Sequence, residues 1–386
     1  MNKYIKYWLF LFTFSLQIPA YAYNDEKINA LAHTFMQENQ VPGLSMAVID
    51  HDKIHFYNLG WADPVKKIPT RNQTIYTIGS FTKTFTAALA ARAMLEKKLN
   101  LNDAFINYFP ELKNNTNLNK ITINELLTHV SGFPFDFQPR PKNYSELIND
   151  LQRFKLTRAP GSEYSYSNAG IGIAGYILQS IYQQPYQAIL AAKVLVPLNM
   201  HSTYLQVPAE KEKNLAVGHD PHNNVIAYNK NIETWFAAAS LKSTISDMAN
   251  YLFAQIHANT LRDTKLGKTL ILVHQNRVCF ADKRCCEQLS WQAHPLSVLK
   301  TSIGDTYFIH FDKEGFPLFN TKKIMSGNTL VGSKIFIDKT GSGYGMSSYM
   351  AYIPEQKIGI VILTNKFLGN ERIKLGRDIL LSLSTS

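Results

Sequence analysis

The chain has 386 residues and a formal net charge of +11, and hydrophobic residues make up 45% of it. This length and apolar content suffice for one large domain or two modest ones with a packed core. The lysines and arginines are scattered, without an arginine-rich helix or a basic strip interleaved with aromatic residues, which argues against a nucleic-acid partner. The positive charge instead favours small anionic substrates or an anionic envelope surface.

Residues 1–22 have the pattern of a secretory signal peptide. Lys3 and Lys6 precede an apolar run that starts at Trp8, and a small-x-small site ends at Ala22. The run is too short to span a bilayer, and no later stretch has about 18 consecutive apolar residues. We therefore expect cleavage after Ala22 and a periplasmic protein of formal charge +9 without a stable membrane anchor.

The hydrophobic pattern then predicts helices and strands in a definite order. Helical periodicity marks four segments: 25–37, 123–127, 144–154 and 170–182. Strand patterns mark six segments: 45–49, 54–57, 306–311, 334–338, 349–353 and 358–363. A long apolar helix rich in alanine and leucine is expected to follow Ser80 and to be buried, and residues 371–383 are expected to form a terminal helix.

Strands at both ends of the chain with helices between them predict an α+β fold. A central antiparallel sheet, flanked by the N- and C-terminal helices, is expected to carry an inserted all-helical lobe, with the active site between them. We expect residues 23–386 to form a single domain. Its α/β layer spans about 23–79 and 205–386, and its helical layer spans about 80–204.

The three cysteines allow one disulfide and leave one odd thiol. In an oxidising compartment, Cys279 can pair with either Cys285 or Cys286. No paired Cys-x-x-Cys, His-x-His or His-Glu-x-x-His spacing accompanies them, and residues 219–222 are typical of a loop. We expect neither a metal ion nor another cofactor.

The stretch Gly79-Ser80-Phe81-Thr82-Lys83 lies at the start of the long apolar helix. Ser80 suits the helix N-cap, and Lys83 falls on the same side of the helix. A lysine in a desolvated pocket loses its proton near neutral pH and becomes a base for a nucleophilic serine. The same spacing recurs at Ser297 and Lys300 without a buried helix behind it, and there we expect no chemical role.

Two further motifs supply partners for this serine. Tyr166-Ser167-Asn168 opens a helical run, and Lys339-Thr340-Gly341 ends a strand. Alone, the first is typical of a core tyrosine and the second of a solvated turn; their order along the chain favours a shared site. We expect Lys83 and Tyr166 to move protons, while Lys339 lowers the pKa of the tyrosine and holds a substrate carboxylate.

The remaining parts of this predicted site are polar groups around the substrate. The side-chain amide of Asn168 suits an amide of the substrate. The backbone N–H groups of Ser80 and Ser342 are candidates for an oxyanion hole, since a strand edge beside a helix start presents two converging donors. Gly341 is expected to let its strand approach the substrate closely.

Together these motifs resemble class C serine β-lactamases over nearly the whole chain after residue 22. Residues 41–45 resemble the family's opening, and residues 126–132 resemble a stretch shared with D-Ala-D-Ala peptidases and related esterases. Lys242-Ser243-Thr244 and the segment 352–366 favour class C specifically.

The resemblance implies an enzyme that opens the ring of a small-molecule β-lactam, a cephalosporin or a penicillin, through an acyl-enzyme. It assigns roles to six residues: the nucleophile Ser80, the bases Lys83 and Tyr166, Asn168 at the acylamide, and Lys339 and Thr340 at the substrate carboxylate. Gly341 and Ser342 complete the substrate-binding strand. We expect a monomer.

Some positions depart from the family's pattern. Asp136 stands where the family usually has a glutamine that touches the acyl side chain, and its carboxylate is expected to repel anionic substituents. Phe367 replaces a usual asparagine, and the segment after it is one residue shorter than expected. Asn370 and Arg372 are therefore candidates for binding the substrate carboxylate, without a firm assignment.

Two other functions use the same residues. A D-Ala-D-Ala carboxypeptidase or esterase has this machinery but releases the acyl group of a β-lactam slowly. A non-catalytic sensor of β-lactams or peptidoglycan would carry a transmembrane or signalling segment, and the sequence shows neither.

Overall fold

The computed structural model of the chain describes residues 25–282, 284–301, 309–311, 317–319, 322–325 and 334–384. The predicted signal peptide and its cleavage position after Ala22 lie outside these residues, as does the first half of the strand predicted at 306–311. Within the described ranges, no helix has the length and apolar character needed to cross a membrane.

Ten α-helices lie in the described part of the chain. They are α1 (Asp25–Glu38), α2 (Thr82–Leu95), α3 (Ile123–Leu127), α4 (Tyr144–Arg153), α5 (Asn168–Tyr182), α6 (Tyr186–Leu190), α7 (Phe236–Ala239), α8 (Ile245–Ile256), α9 (Lys265–Val273) and α10 (Glu371–Leu383). The predicted helices at 123–127 and 371–383 match α3 and α10 residue for residue. The predicted helices at 25–37, 144–154 and 170–182 agree with α1, α4 and α5 to within two residues at each end.

Seventeen strands are described, most of them short. They are β1 (Gly43–Asp50), β2 (Lys53–Asp63), β3 (Ile68–Pro69), β4 (Ile75–Thr77), β5 (Glu163–Tyr164), β6 (Gly218–His219), β7 (Val225–Ile226), β8 (Lys242–Thr244), β9 (Val278–Phe280), β10 (Cys286–Glu287), β11 (Gln292–Pro295), β12 (Ile309–Phe311), β13 (Pro317–Phe319), β14 (Lys322–Met325), β15 (Ile335–Gly343), β16 (Met346–Ile353) and β17 (Ile358–Thr364).

Eleven of the described strands form one sheet in the order β3-β2-β1-β17-β16-β15-β11-β10-β9-β14-β5. The first and last parts of the chain meet where β1 pairs with β17 in antiparallel register, with Leu44 opposite Thr364 and Asp50 opposite Ile358. This confirms the predicted α+β fold. The helical lobe also contributes a strand, because β5 pairs with β14 at the edge of the sheet.

Helices cover both faces of the central strands. α1 and α10 pack together on one face, while α8 lies against β1 and β17 on the other and α2 packs behind it against α9. Every residue of β16 and β17 is buried in consequence. Two-sided burial explains why residues 358–363 read as an almost uninterrupted apolar run, since neither face of that strand meets water.

The cysteine pairing that the sequence left open is settled by strand register. Cys279 in β9 lies directly opposite Cys286 in β10, and the two form a disulfide. Cys285 is a buried free thiol. Neighbouring residues of a strand point to opposite faces, so only one of the two adjacent cysteines can meet Cys279.

Candidate active site

Ser80 lies in a single 3₁₀ turn, Gly79–Phe81, that leads directly into α2. The predicted N-cap role of Ser80 is wrong. Phe81 is the N-cap of α2, its backbone is already helical with φ −57° and ψ −29°, and no side chain caps the helix. The Ser80 hydroxyl is therefore left to another partner, and it accepts a hydrogen bond from Lys83 Nζ at 3.0 Å.

Lys83 is completely buried in the first turn of α2. Besides Ser80 Oγ, its ammonium donates to Asn168 Oδ1 at 2.7 Å and to the backbone carbonyl of Ala238 at 2.8 Å. Burial, opposed by Tyr166 and assisted by the charge of Lys339, lowers the pKa of Lys83 to about 8.

Ala238 is a functional residue that the sequence analysis missed. It contributes a main-chain oxygen, which any residue type supplies, so no residue pattern could have indicated it. Its position is fixed because α7 is tied to α2: Thr86 Oγ1 donates to Ala237 O at 2.6 Å, and the N–H of Leu241 donates to Thr82 Oγ1 at 3.1 Å.

Tyr166 lies close to the two amines that the sequence analysis placed with it. Lys83 Nζ is 4.9 Å and Lys339 Nζ is 5.1 Å from the centroid of its ring. Burial acts to raise the pKa of Tyr166, but the charges of Lys339 and Lys83, with hydrogen bonds to Ser80 and Lys83, outweigh burial and lower this pKa below its usual value.

His129 stacks on the ring of Tyr166. The two rings stack with centroids 4.3 Å apart, and His129 Nδ1 accepts a hydrogen bond from the N–H of Ser167 at 3.1 Å. Burial, with the nearby charges of Lys339 and Lys83, holds the pKa of His129 well below its ordinary value. The imidazole is therefore neutral, and its contacts fix the segment that carries the tyrosine.

The start of α5 places Asn168 beside Lys83. The N-cap Ser167 accepts a hydrogen bond from the N–H of Gly170 at 3.0 Å and donates one to Pro134 O at 2.6 Å. The N–H of Asn168 donates to Phe135 O at 2.8 Å. The last two residues of the Tyr166-Ser167-Asn168 motif are thus held by the loop that contains residues 134 and 135.

The strand β15 passes directly against the turn that contains Ser80. A Cβ on Gly341 would lie 2.3 Å from the carbonyl oxygen of Ile78, and one on Gly79 would lie 2.5 Å from the backbone N of Ser342. Gly341 therefore permits close approach of β15 to the Ser80 turn, and the expected close approach to substrate stays a prediction. Ser348 on β16 strengthens this contact by donating to Ile78 O at 3.1 Å.

Comparison with known proteins agrees with this geometry, in which Lys83 and Tyr166 hydrogen-bond to Ser80 and Lys339 lies 5.1 Å from the centroid of the Tyr166 ring. A family model described as Beta-lactamase matches residues 28–383. The chain belongs to the beta-lactamase family. It is 28% identical over 352 residues to a beta-lactamase of Providencia stuartii, covering 91% of this chain and 89% of that protein. It is 29% identical over 357 residues to a beta-lactamase of Psychrobacter immobilis, covering 92% of this chain and 87% of that protein.

Solved structures agree with the sequence relatives. The crystal structure of a class C beta lactamase superposes with a TM-score of 0.81 at 28% identity, covering 92% of this chain and 97% of that one. A beta-lactamase/D-alanine carboxypeptidase from Pseudomonas syringae superposes with a TM-score of 0.82 at 28% identity, covering 94% of this chain and 99% of that one. The chain is thus a class C serine β-lactamase and a hydrolase of that kind, as its motifs predicted.

Asp136 does not present a free carboxylate as the sequence suggested. Its side chain is 4% exposed. It accepts hydrogen bonds from Arg140 Nε at 3.0 Å and from the indole N–H of Trp235. A carboxylate paired with a guanidinium in this way exerts little net repulsion on a substrate. Within this β-lactamase, Asp136 is therefore a buried structural anion.

Arg372 is also committed to the protein itself. It is 3% exposed, and it donates to the carbonyl oxygens of Ser348, Leu368 and Gly369 and to Ser342 Oγ. Four of the five N–H bonds of the guanidinium are thus used, which corrects its candidate role at the substrate carboxylate. Arg372 instead contacts β15 by donating a hydrogen bond to Ser342 Oγ.

The other candidates lie on β15 and at the start of α10. Lys339 is 5% exposed, and Thr340 follows it, opposite Tyr349 of β16. Asn370 is the N-cap of α10 and makes no side-chain capping bond. In the part of the chain that the structure describes, no group of three or more His, Cys, Asp or Glu side chains is placed to hold a metal ion.

Proposed function

We propose that this β-lactamase hydrolyses cephalosporins and penicillins through an acyl-enzyme on Ser80. The observation that carries the proposal is the buried Lys83 amine, with a pKa of about 8, at 3.0 Å from the Ser80 hydroxyl. An amine with this pKa has a substantial neutral fraction near neutral pH, and a neutral amine can accept the serine proton.

The first half of the reaction forms the acyl-enzyme. Lys83, or Tyr166 as its phenolate, takes the proton of Ser80 while Ser80 Oγ bonds to the lactam carbonyl carbon. The backbone N–H groups of Ser80 and Ser342, on segments in contact, are the donors we assign to the oxyanion. The C–N bond of the ring then breaks, and Tyr166 delivers a proton to the departing nitrogen.

The second half releases the product. Water gives a proton to Tyr166 or Lys83 and bonds to the acyl carbon, and the Ser80 C–O bond breaks as Ser80 Oγ recovers a proton. We assign Asn168 to the acylamide of the substrate, and Lys339 with Thr340 to its carboxylate. Asn168 suits this role because its side-chain oxygen already accepts from Lys83, which leaves its NH₂ group available to donate.

We further propose that the protein acts as a monomer in the periplasm after cleavage behind Ala22. The lysines and apolar run of residues 1–22 support export. The Cys279–Cys286 disulfide supports an oxidising compartment, where such bonds persist.

A D-Ala-D-Ala carboxypeptidase is the second candidate function. It is favoured by the likeness to the Pseudomonas syringae protein, which is described as both a beta-lactamase and a D-alanine carboxypeptidase. Such an enzyme forms the same acyl-enzyme with a β-lactam, and the two functions differ in how fast water removes the acyl group.

Pre-steady-state kinetics with a chromogenic cephalosporin in excess separates these functions. A β-lactamase continues to open rings at a constant rate after the first equivalent. A burst of one equivalent per protein followed by negligible turnover would contradict the β-lactam hydrolase proposal and favour the carboxypeptidase. Ser80→Ala should abolish both phases, whereas the matched control Ser297→Ala, at the second Ser-x-x-Lys sequence, should retain them.

A further inference from the structure

Three segments from different parts of the chain meet through the side chains of Arg140, Glu233 and Tyr344. Arg140 donates to Asp136 Oδ2 through Nε and to Glu233 Oε2 through Nη1, each at 3.0 Å. Tyr344 donates its hydroxyl proton to Glu233 Oε1, and Asn229 Nδ2 donates to the Tyr344 hydroxyl at 2.8 Å. Arg140, Glu233 and Tyr344 thus form a continuous bridge from the helical lobe to the tip of the β15–β16 hairpin.

Each bridging segment leads directly into the active site. Asp136 follows Phe135, whose carbonyl oxygen binds the N–H of Asn168. Glu233 precedes the segment that ends in the Lys83 acceptor Ala238, whose N–H donates to Trp235 O at 2.8 Å. On the third side, Tyr344 lies two residues beyond Ser342. The bridge therefore joins three segments that each lead to an active-site residue.

The backbone conformation of Tyr344 is one that only glycine adopts without strain, so a side chain at this turn position costs conformational free energy. Tyr344 and Gly345 form the hairpin turn with φ values of +49° and +70°. Glycine adopts such a conformation readily, whereas a residue with a Cβ adopts it with strain. The turn itself is fixed independently, because the N–H of His219 donates to Gly345 O at 2.9 Å.

We propose that Arg140, Glu233 and Tyr344 close the end of the cleft that receives the acyl side chain of the substrate, and so limit the bulk of the side chains that the enzyme accepts. This rests on the proposed function, in which Asn168 binds the acylamide and the side chain extends past it. Tyr344 is the specificity-determining residue, because its hydroxyl makes the hydrogen bond that joins the hairpin to Glu233.

The test compares two cephalosporins that share one nucleus, one with an acetyl and one with a branched, bulky aromatic acyl group. The quantity measured is the ratio of their kcat/KM values, bulky over acetyl. Tyr344→Gly removes the ring from a turn that glycine prefers, and it should raise this ratio about tenfold. Tyr344→Phe keeps the ring but breaks its bonds to Glu233 and Asn229, and it should raise the ratio about threefold.

Tyr182→Phe is the matched control, because the Tyr182 hydroxyl also donates to a glutamate, Glu96, at 3.0 Å. Tyr182 ends α5, roughly 20 Å along the helix from Asn168. Its ratio should stay within about twofold of the unmodified enzyme. Equal ratios in all four proteins would overturn the bridge proposal and leave the proposed function standing. If neither cephalosporin acylates Ser80 in the unmodified enzyme, both proposals are overturned.

Discussion

At the scale of single residues, the proposed chemistry depends on the complete burial of Lys83 and on its hydrogen-bond partners. The sequence predicted Lys83 as a base beside Ser80, and it predicted Tyr166 and Lys339 as partners, from residue types that acyl transfer requires. It could not predict the carbonyl of Ala238, since a main-chain acceptor carries no residue signature. It also misjudged Asp136, because the pairing with Arg140 and Trp235 depends on tertiary contacts.

The surroundings of Lys83 predict how the rate of acylation depends on pH. Burial lowers the pKa of Lys83 from 10.5 to about 8, so the amine is mostly protonated at lower pH and mostly neutral at higher pH. Only the neutral amine accepts the Ser80 proton, so the rate constant for acylation should rise through about pH 8 and then level off.

In Lys83→Arg the acylation rate constant should no longer rise with pH, because a guanidinium stays protonated over this range. The rate constant should also be about 10²- to 10⁴-fold lower than in the unmodified enzyme. Stopped-flow measurement of acylation between about pH 6 and pH 10 provides the check. A flat profile in the unmodified enzyme would rule out Lys83 as the titrating base.

At the scale of elements, the site depends on the contact between the Ser80 turn and β15. The pattern of apolar residues was enough to predict both the buried helix after Ser80 and the strand before Lys339. It was not enough to show that Gly79 and Gly341 face each other's segments at close range. Close approach between elements distant in sequence leaves no local signal beyond the presence of a glycine.

Gly341→Ala tests the importance of this contact. The added Cβ would lie 2.3 Å from a backbone oxygen that cannot move aside easily, so β15 should shift away from the Ser80 turn. Loss of one oxyanion donor lowers kcat by about 10²- to 10³-fold, and we expect a loss of that size.

Gly343→Ala is the control on the same strand, because its Cβ would meet only a methyl group of Thr77, at 3.3 Å. That variant should lose less than about threefold in kcat, by the small effect typical of a tolerated substitution. If both variants retained full kcat, with unchanged circular dichroism, the close contact would have no catalytic importance.

At the scale of the whole molecule, the order of elements was predictable because each long element has its own hydrophobic period. The meeting of β1 with β17 followed from strands at both chain ends, and the structure confirms it. The far side of the sheet, from β11 to β5, was not predicted, because its strands are two to four residues long. Segments this short have no clear period, so their pairing and the choice of Cys286 over Cys285 depend on register alone.

The fold brings Ser80, Tyr166 and Lys339 together from the start of α2, the N-terminal side of α5 and the strand β15. None of these residues is a neighbour of another in sequence, and each is held by contacts from a further element. The proposed nucleophile Ser80 therefore has Lys83 and Tyr166 as partners only in the folded protein.

Time-resolved intact-mass spectrometry after mixing with a cephalosporin, followed by peptide mapping, tests this claim most directly. We expect one acyl adduct per folded molecule, located on the peptide that contains Ser80, which then disappears as hydrolysed product accumulates. The adduct should be absent from Ser80→Ala and from protein unfolded in denaturant. An adduct on any other peptide, such as the one containing Ser297, or no adduct together with continued hydrolysis, would contradict the account.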